Sequence, residues 1–273
     1  MVSVIIPCTD LLVAKETARS VNTDNILEIL IVVDGSDRHE ITRLDGVVVI
    51  HLLGLNGSYT ARNIGAQSAK GKYLFFLDSG VTCISLDFNN LSSEIIYGAG
   101  SVAFSRIPNN LWEQWYKKFA FNNIRFRLIW RFTPTISLLI DRHTFEVNNG
   151  FNANLLSGGD LDFCHRLKLP IDLDRISIET DLRNKGEIKL KLNRQLLGQE
   201  IMARASNRLS YCKITFLKFC SILSHLIIRV KYFEINVYRM SLFIKYMVRP
   251  KIELNKDLIR INKKEVLNAA KKI

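Results

Sequence analysis

Acidic residues in this 273-residue chain gather where glycines break apolar runs. Asp34-Gly35-Ser36-Asp37 stops the run 26–33, Asp78-Ser79-Gly80 stops 73–77, and Gly158-Gly159-Asp160-Leu161-Asp162 follows a loop already punctuated by Gly150. A carboxylate can take a proton from a hydroxyl when burial or a second acid raises its proton affinity. With hydroxyl, phosphate and water oxygens beside it, it can also hold a hard divalent cation. The same residue types cap helices and fill turns, and residue type alone leaves both uses open. Cysteine chemistry is not indicated: Cys8, Cys83, Cys164, Cys212 and Cys220 are odd in number, scattered and never spaced as CxxC, so neither a disulfide framework nor a zinc site is expected. A reducing cytosol suits them.

The elements that must carry these loops follow from hydrophobic patterning. Residues 2–6 form a short apolar run ending at Pro7, as a buried strand does where it opens into a loop. A helix is expected over 13–22, a strand over 26–33, a third strand over 47–53, a helix over 58–70 and a fourth strand over 73–77, with strand-like character again at 133–140. Strands alternating with helices imply an α/β fold with a mostly parallel sheet covered on both faces. Ligands of such sheets collect at the carboxyl ends of the strands, which singles out residues 7–10, 34–37 and 78–82 from pattern alone. Residues 112–130 are aromatic and basic. Trp112, Trp115 and Trp130 there could stack on a sugar, although core packing is the commoner use of such residues.

Five segments resemble, in order and spacing, those of family 2 glycosyltransferases over about residues 2–200. They are Val2-Ser3-Val4-Ile5-Ile6-Pro7, Ile31-Val32-Val33-Asp34-Gly35-Ser36-Asp37, Ala61-Arg62-Asn63-Ile64-Gly65-Ala66, Ala69-Lys70-Gly71-Lys72-Tyr73-Leu74-Phe75-Phe76-Leu77-Asp78-Ser79, and Asn149-Gly150-Phe151 with Gly158-Gly159-Asp160-Leu161-Asp162. The resemblance implies a GT-A, Rossmann-like nucleotide-sugar-binding domain and inverting transfer of a sugar from a nucleoside-diphosphate donor to an acceptor hydroxyl. Carried onto matching positions, it implies that Pro7, Thr9 and Asp34 line the base and ribose pocket. It likewise implies that Arg62 lies on the base or phosphate side, that Asp78 and Ser79 bind the donor, and that Asp160 is the general base. It also implies Mg2+ or Mn2+ at Asp78. Two departures stand out: Gly80 replaces the second carboxylate of the metal motif, and Gly159 replaces a Glu beside the base. The family's frequent histidine after the catalytic loop is missing too, unless Glu179 or Asp181 supplies a ligand instead. A catalytically degenerate nucleotide-sugar or glycan-binding scaffold is the alternative these departures raise.

Charge divides the chain. The net charge is +12, and residues 204–273 account for it with 16 Lys and Arg against 4 Asp and Glu, leaving 22 of each sign in 1–203. The expected organisation is a GT-A domain over 1–203 and a basic helical tail over 204–273. In 214–232, Lys218, Ser221, His225 and Arg229 recur at helical spacing on one polar stripe opposite a wide apolar face, and 238–248 repeats the mixture. A helix lying on an anionic membrane surface through 211–249 fits this composition, and a lid or homo-oligomer interface is the other use. Nucleic acid is not expected as a partner, because no helix-turn-helix, zinc finger or RNP pattern accompanies the charge. The acceptor implied is a cell-surface polysaccharide or lipid-linked glycan precursor. With no basic, cleavable leader at its start, the chain is expected in the cytoplasm, at most peripheral on the inner face of the membrane.

Overall fold

The computed structural model describes residues 1–21, 24–44, 46–119, 131–155, 157–205 and 230–247. It divides into two compact units, one of Met1–Ile107, Phe119–Ala153 and Gly159–Asp181, the other of Pro108–Lys118, Asn154–Gly158 and Leu182–Ile273.

The first unit is built on a nine-stranded sheet of β1 (Val2–Cys8), β2 (Ile26–Ser36), β3 (Glu40–Leu44), β4 (Val47–Leu53), β5 (Tyr73–Leu77), β6 (Val81–Leu86), β7 (Ile96–Phe104), β8 (Ser137–Asp141) and β9 (Ile171–Thr180), in the order β3-β4-β2-β1-β5-β8-β7-β9-β6. Within it β4, β2, β1 and β5 are mutually parallel, as the alternation of strands and helices requires. Beyond β5 the sheet is mixed, with β7 and β9 again parallel. β8 runs antiparallel to both β5 and β7, and β6 runs antiparallel to β9. β5 and β6, joined only by Asp78-Ser79-Gly80, are not neighbours, and β6 lies at the sheet's edge beside β9.

Helices α1 (Leu11–Ser20) and α2 (Ser58–Ser68) connect the parallel strands. Asp10 starts α1 by accepting from the N–H of Leu12 at 2.9 Å, which places the helix two residues before the expected 13–22. α2 lies close on the sheet at Gly65, where a Cβ would come within 2.5 Å of Ile5 Cγ2. Every residue of β1, β5 and β8 is buried, so these central strands read as continuous apolar runs. The strand-like reading of 133–140 narrows to β8, since Pro134 brings no N–H to a ladder.

Two further helices complete the site's support, α4 (Arg142–Val147) and α5 (Gly159–Leu167), with α3 (Leu111–Phe119) between them and β7 in sequence. An aromatic cluster joins them to the sheet: Phe76 lies 5.1 Å from Phe145 and from Phe151 between ring centroids, and Phe163 lies 5.2 and 4.8 Å from the same two. Edge and tilted aromatic pairs of this kind add to the burial itself.

The second unit contains nearly all of α3 with α6 (Lys185–Ala205) and α7 (Phe233–Met247). Trp112 and Trp115 are buried there, Trp112 against Tyr238 at 5.7 Å and Trp115 beneath the Arg239 guanidinium. Neither presents a sugar-stacking face, and Trp130 lies outside the described residues. Of the tail, the helix read over 214–232 falls outside the described residues except for the single 3-10 turn Val230–Tyr232. Among described residues, no helix is long and apolar enough to cross a membrane.

Candidate functional site

The carboxyl ends of β1, β2 and β5 bring together the loops singled out by pattern. Pro7 is buried within β1, paired with Val32, and Thr9 just beyond the strand is exposed. Cys8, between them, is no nucleophile: burial, with Asp10 and Asp34 nearby, pushes its thiol up to about 12.

Asp34 is buried, and its carboxylate is already engaged. Oδ1 accepts from the Asn56 N–H at 2.7 Å and from Asn56 Nδ2 at 3.2 Å, while Oδ2 accepts from the Gly57 N–H at 2.7 Å. Gly57 is the N-cap of α2 and has no side chain to cap with, so Asp34 supplies the anion that a helix N-terminus favours. About four lone-pair sites exist on a carboxylate, so these three bonds leave one.

Arg62, from the buried face of α2, forms an ion pair with Asp78 through Nη2 and Oδ1. Its side chain is 4% exposed against 39% for Asp78, so the charge of the pair reaches solvent through the acid. Arg62 Nε is buried without a partner, which leaves one donor of the guanidinium unspent. Ser79 is half-buried. Gly80 adopts φ +83 and donates its N–H to Thr17 Oγ1 at 2.9 Å. This left-handed turn accounts for glycine where a second carboxylate was expected, because a Cβ at Gly80 would meet only Val13 at 3.7 Å and steric room is not the obstacle. Glu179 pairs within the sheet and Asp181 accepts from Ser105 Oγ at 2.6 Å, and the described residues contain no group of three His, Cys, Asp or Glu able to hold a metal.

Asp160 stands in the first turn of α5. Its Oδ1 accepts from the Leu161 N–H at 2.9 Å, and the Thr135 N–H also bonds to it. Burial raises its proton affinity, and those N–H groups together with the Arg62 guanidinium pull the other way. Arg62 thus pairs with Asp78 in one half of the site, and its charge is felt by Asp160 in the other.

Sequence reasoning missed what clamps these halves. Asn63 donates from Nδ2 to the Phe151 carbonyl at 2.7 Å and accepts the Phe151 N–H on Oδ1 at 3.0 Å, copying a strand pairing with one side chain. The turn it grips is tight: Gly150 has φ +56, and a Cβ there would meet Asn63 Oδ1 at 2.8 Å. Arg166 is spent on the same turn, donating to the carbonyls of Asn148 at 2.5 Å and Gly150 at 2.6 Å and pairing with Asp162 at 3.0 Å. Only the adjacency of Asn63 to Arg62 signalled the clamp in the sequence.

Comparison with known proteins adds the following. A family profile described as Glycosyl transferase family 2 matches residues 3–145, more than half of the chain. Among solved structures, a mannosyltransferase, PcManGT from Pyrobaculum calidifontis in complex with GDP-Man and Mn2+, is similar with a TM-score of 0.55 and 10% identity over 90% of this chain and 87% of that one. That likeness is one of fold. GalNAc-T7 with UDP, GalNAc and Mn2+ gives a TM-score of 0.49 at 16% identity, covering 71% of this chain and 48% of its own. S. aureus TarS gives 0.44 at 16%, covering 74% and 42%. No curated protein matches in sequence.

Proposed function

Since the chain belongs to glycosyl transferase family 2 and has the GT-A fold, we propose that it transfers a sugar with inversion from a nucleoside-diphosphate donor to an acceptor hydroxyl, with Asp160 as general base. The observation that carries this is the Arg62–Asp78 ion pair at the strand ends, whose positive charge also acts on the proton affinity of Asp160 in the first turn of α5. In this reading the base and ribose lie over Pro7, Thr9 and Asp34, the diphosphate lies toward Arg62, Asp78 and Ser79, and the anomeric carbon faces α5. Asp160 removes the acceptor proton as the new glycosidic bond forms and the bond to the diphosphate breaks. Burial keeps this carboxyl a stronger base than a solvated Asp, as the step needs.

Residues 1–203 form the transferase domain, and 204–273 bring it to a lipid-linked or membrane-proximal glycan acceptor through their positive charge. The donor residues fit a divalent ion in one form only. Asp78 gives a single carboxylate, its Oδ1 shared with Arg62, and a Mg2+- or Mn2+-sized ion accepts such a site when phosphates and waters supply its other oxygens. When bound, that ion supplies charge neutralisation of the leaving diphosphate, and Arg62 supplies a second positive charge beside it.

The test is release of nucleoside diphosphate from GDP-mannose and a set of UDP-sugars, with and without Mn2+, by the full chain and by Asp160→Asn. Expected is turnover of at least one donor by the full chain and a loss of 10²-fold or more in Asp160→Asn with nucleotide affinity retained. Undiminished turnover in the variant removes Asp160 from the role. Nucleotide binding without turnover of any donor would assign the chain instead as a sugar-nucleotide-binding scaffold.

A further inference from the structure

Gly159 and Tyr59 occupy what is ordinarily one residue's space. A Cβ at Gly159 would lie 2.6 Å from Tyr59 Cζ, 2.7 Å from Cε2 and 2.9 Å from Cε1, distances that real carbon atoms do not reach. The ring cannot swing clear, because it is buried with Phe151 at 5.7 Å between centroids and the Arg62 guanidinium at 5.6 Å. Gly159 has no left-handed backbone, so conformation does not require glycine there. The ring does.

The tip of the same ring meets the start of α5. The first N–H groups of a helix have no partner within it. Here the Gly159 N–H donates to Tyr59 Oη at 2.9 Å, and the Asp160 N–H bonds to the same oxygen. A phenol therefore does what a cap or an acidic side chain does elsewhere, and does it without charge. Burial beside Asp160 raises the Tyr59 proton affinity above the usual phenol value, so the group is neutral wherever the protein works. A Glu at 159 would instead set a second negative charge against Asp160.

We propose that Tyr59 is the positioning residue of the acceptor half: its ring fills the space left open at Gly159, and its hydroxyl holds the first turn of α5 so that Asp160 is fixed at the base position. This rests on Asp160 acting as base. The missing acid at 159 is thereby a substitution in kind, one large neutral side chain from α2 in place of one charged side chain from α5.

The test is a double-mutant cycle on the full chain. Gly159→Ala is expected to lower the thermal midpoint by several degrees in the native background and to leave it unchanged in the Tyr59→Ala background. Equal losses in both would overturn the shared space. Tyr59→Phe keeps the ring and removes the hydroxyl. For nucleoside-diphosphate release from the donor turned over, kcat is expected to fall about three- to thirtyfold with donor KM within about twofold of native, the scale of the two hydrogen bonds to Oη that are lost. An unchanged kcat would overturn the positioning role even if the midpoint drops. Tyr59→Ala/Gly159→Glu should turn over at least tenfold faster than Gly159→Glu alone, and no recovery counts against the exchange. Asp160→Asn, measured in parallel, separates the two ideas: if it retains turnover the base assignment fails, while the midpoint cycle still decides whether residues 59 and 159 share one space.

Discussion

As the proposed base, the half-buried Asp160 brings together two demands that pull apart. A base must carry charge at working pH, and a buried carboxylate resists it. Burial raises its proton affinity, so the native state holds this proton more tightly than the unfolded chain does. Below the ordinary Asp value both states are protonated and no penalty exists. As pH rises through the raised native value, stability is lost relative to an uncharged side chain. Asp160→Asn should therefore unfold at a higher denaturant concentration than native protein at pH 7, with the gap closing as pH falls toward 4, a pattern that chemical denaturation at several pH values checks. Arg62 shows the opposite economy. Its planar fork pairs with Asp78 and its charge lowers the proton affinity of Asp160, and a lysine's ammonium keeps the charge without the fork. Arg62→Lys should weaken nucleotide binding and cost about 1–2 kcal/mol in chemical denaturation, less than a fully buried pair would because Asp78 is partly solvated.

At the scale of elements, the site is a set of strand ends locked by side chains from α2. Asn63 makes two hydrogen bonds to the Phe151 backbone. Asn63→Ala should cost roughly 2 kcal/mol at about 1 kcal/mol per bond and should depress kcat more than nucleotide affinity, measured by denaturation and by nucleoside-diphosphate release, because the turn it grips leads to α5 and not to the base pocket. The strands that frame this arrangement could be read directly. β4 and β5 coincide with the expected 47–53 and 73–77 because each is an apolar run bounded by turn residues. Asp34, Asp78 and Asp160 were legible as loop acids for the same reason. What could not be read were the partners. That Asp34 holds Gly57, that Arg62 holds Asp78 and that Tyr59 fills the space of Gly159 are all consequences of how the sheet folds back on itself, and no local pattern encodes them. Strand direction beyond β5 was not legible, since the alternation that implies parallel strands ends with α2, and there the sheet mixes antiparallel β8 and β6 with the parallel β7–β9 pair.

Across the whole molecule, charge and chemistry occupy different stretches of chain. All of the net +12 belongs to residues 204–273, whereas the candidate site residues lie between Pro7 and Asp160. A tail of this composition should bind vesicles containing anionic lipid and release them as salt rises from 0.1 to about 0.5 M, with neutral vesicles unbound throughout, as a sedimentation assay would reveal. Chain truncated after residue 203 should lose that binding and keep nucleotide affinity.

The clamp between Asn63 and Phe151 spans 88 residues, and the contact of Tyr59 with Gly159 spans 100. Bringing such distant positions together carries a loop-closure cost that only the finished pairing of β5 with β8 offsets. During synthesis the donor-side loops emerge first, with every strand that carries them, while the base and the turn that leads to it leave the ribosome later. On the proposed reading, β1, β2 and β5, whose ends would hold the donor, are therefore complete in the nascent chain before β8 and α5, which would frame the base, have been made.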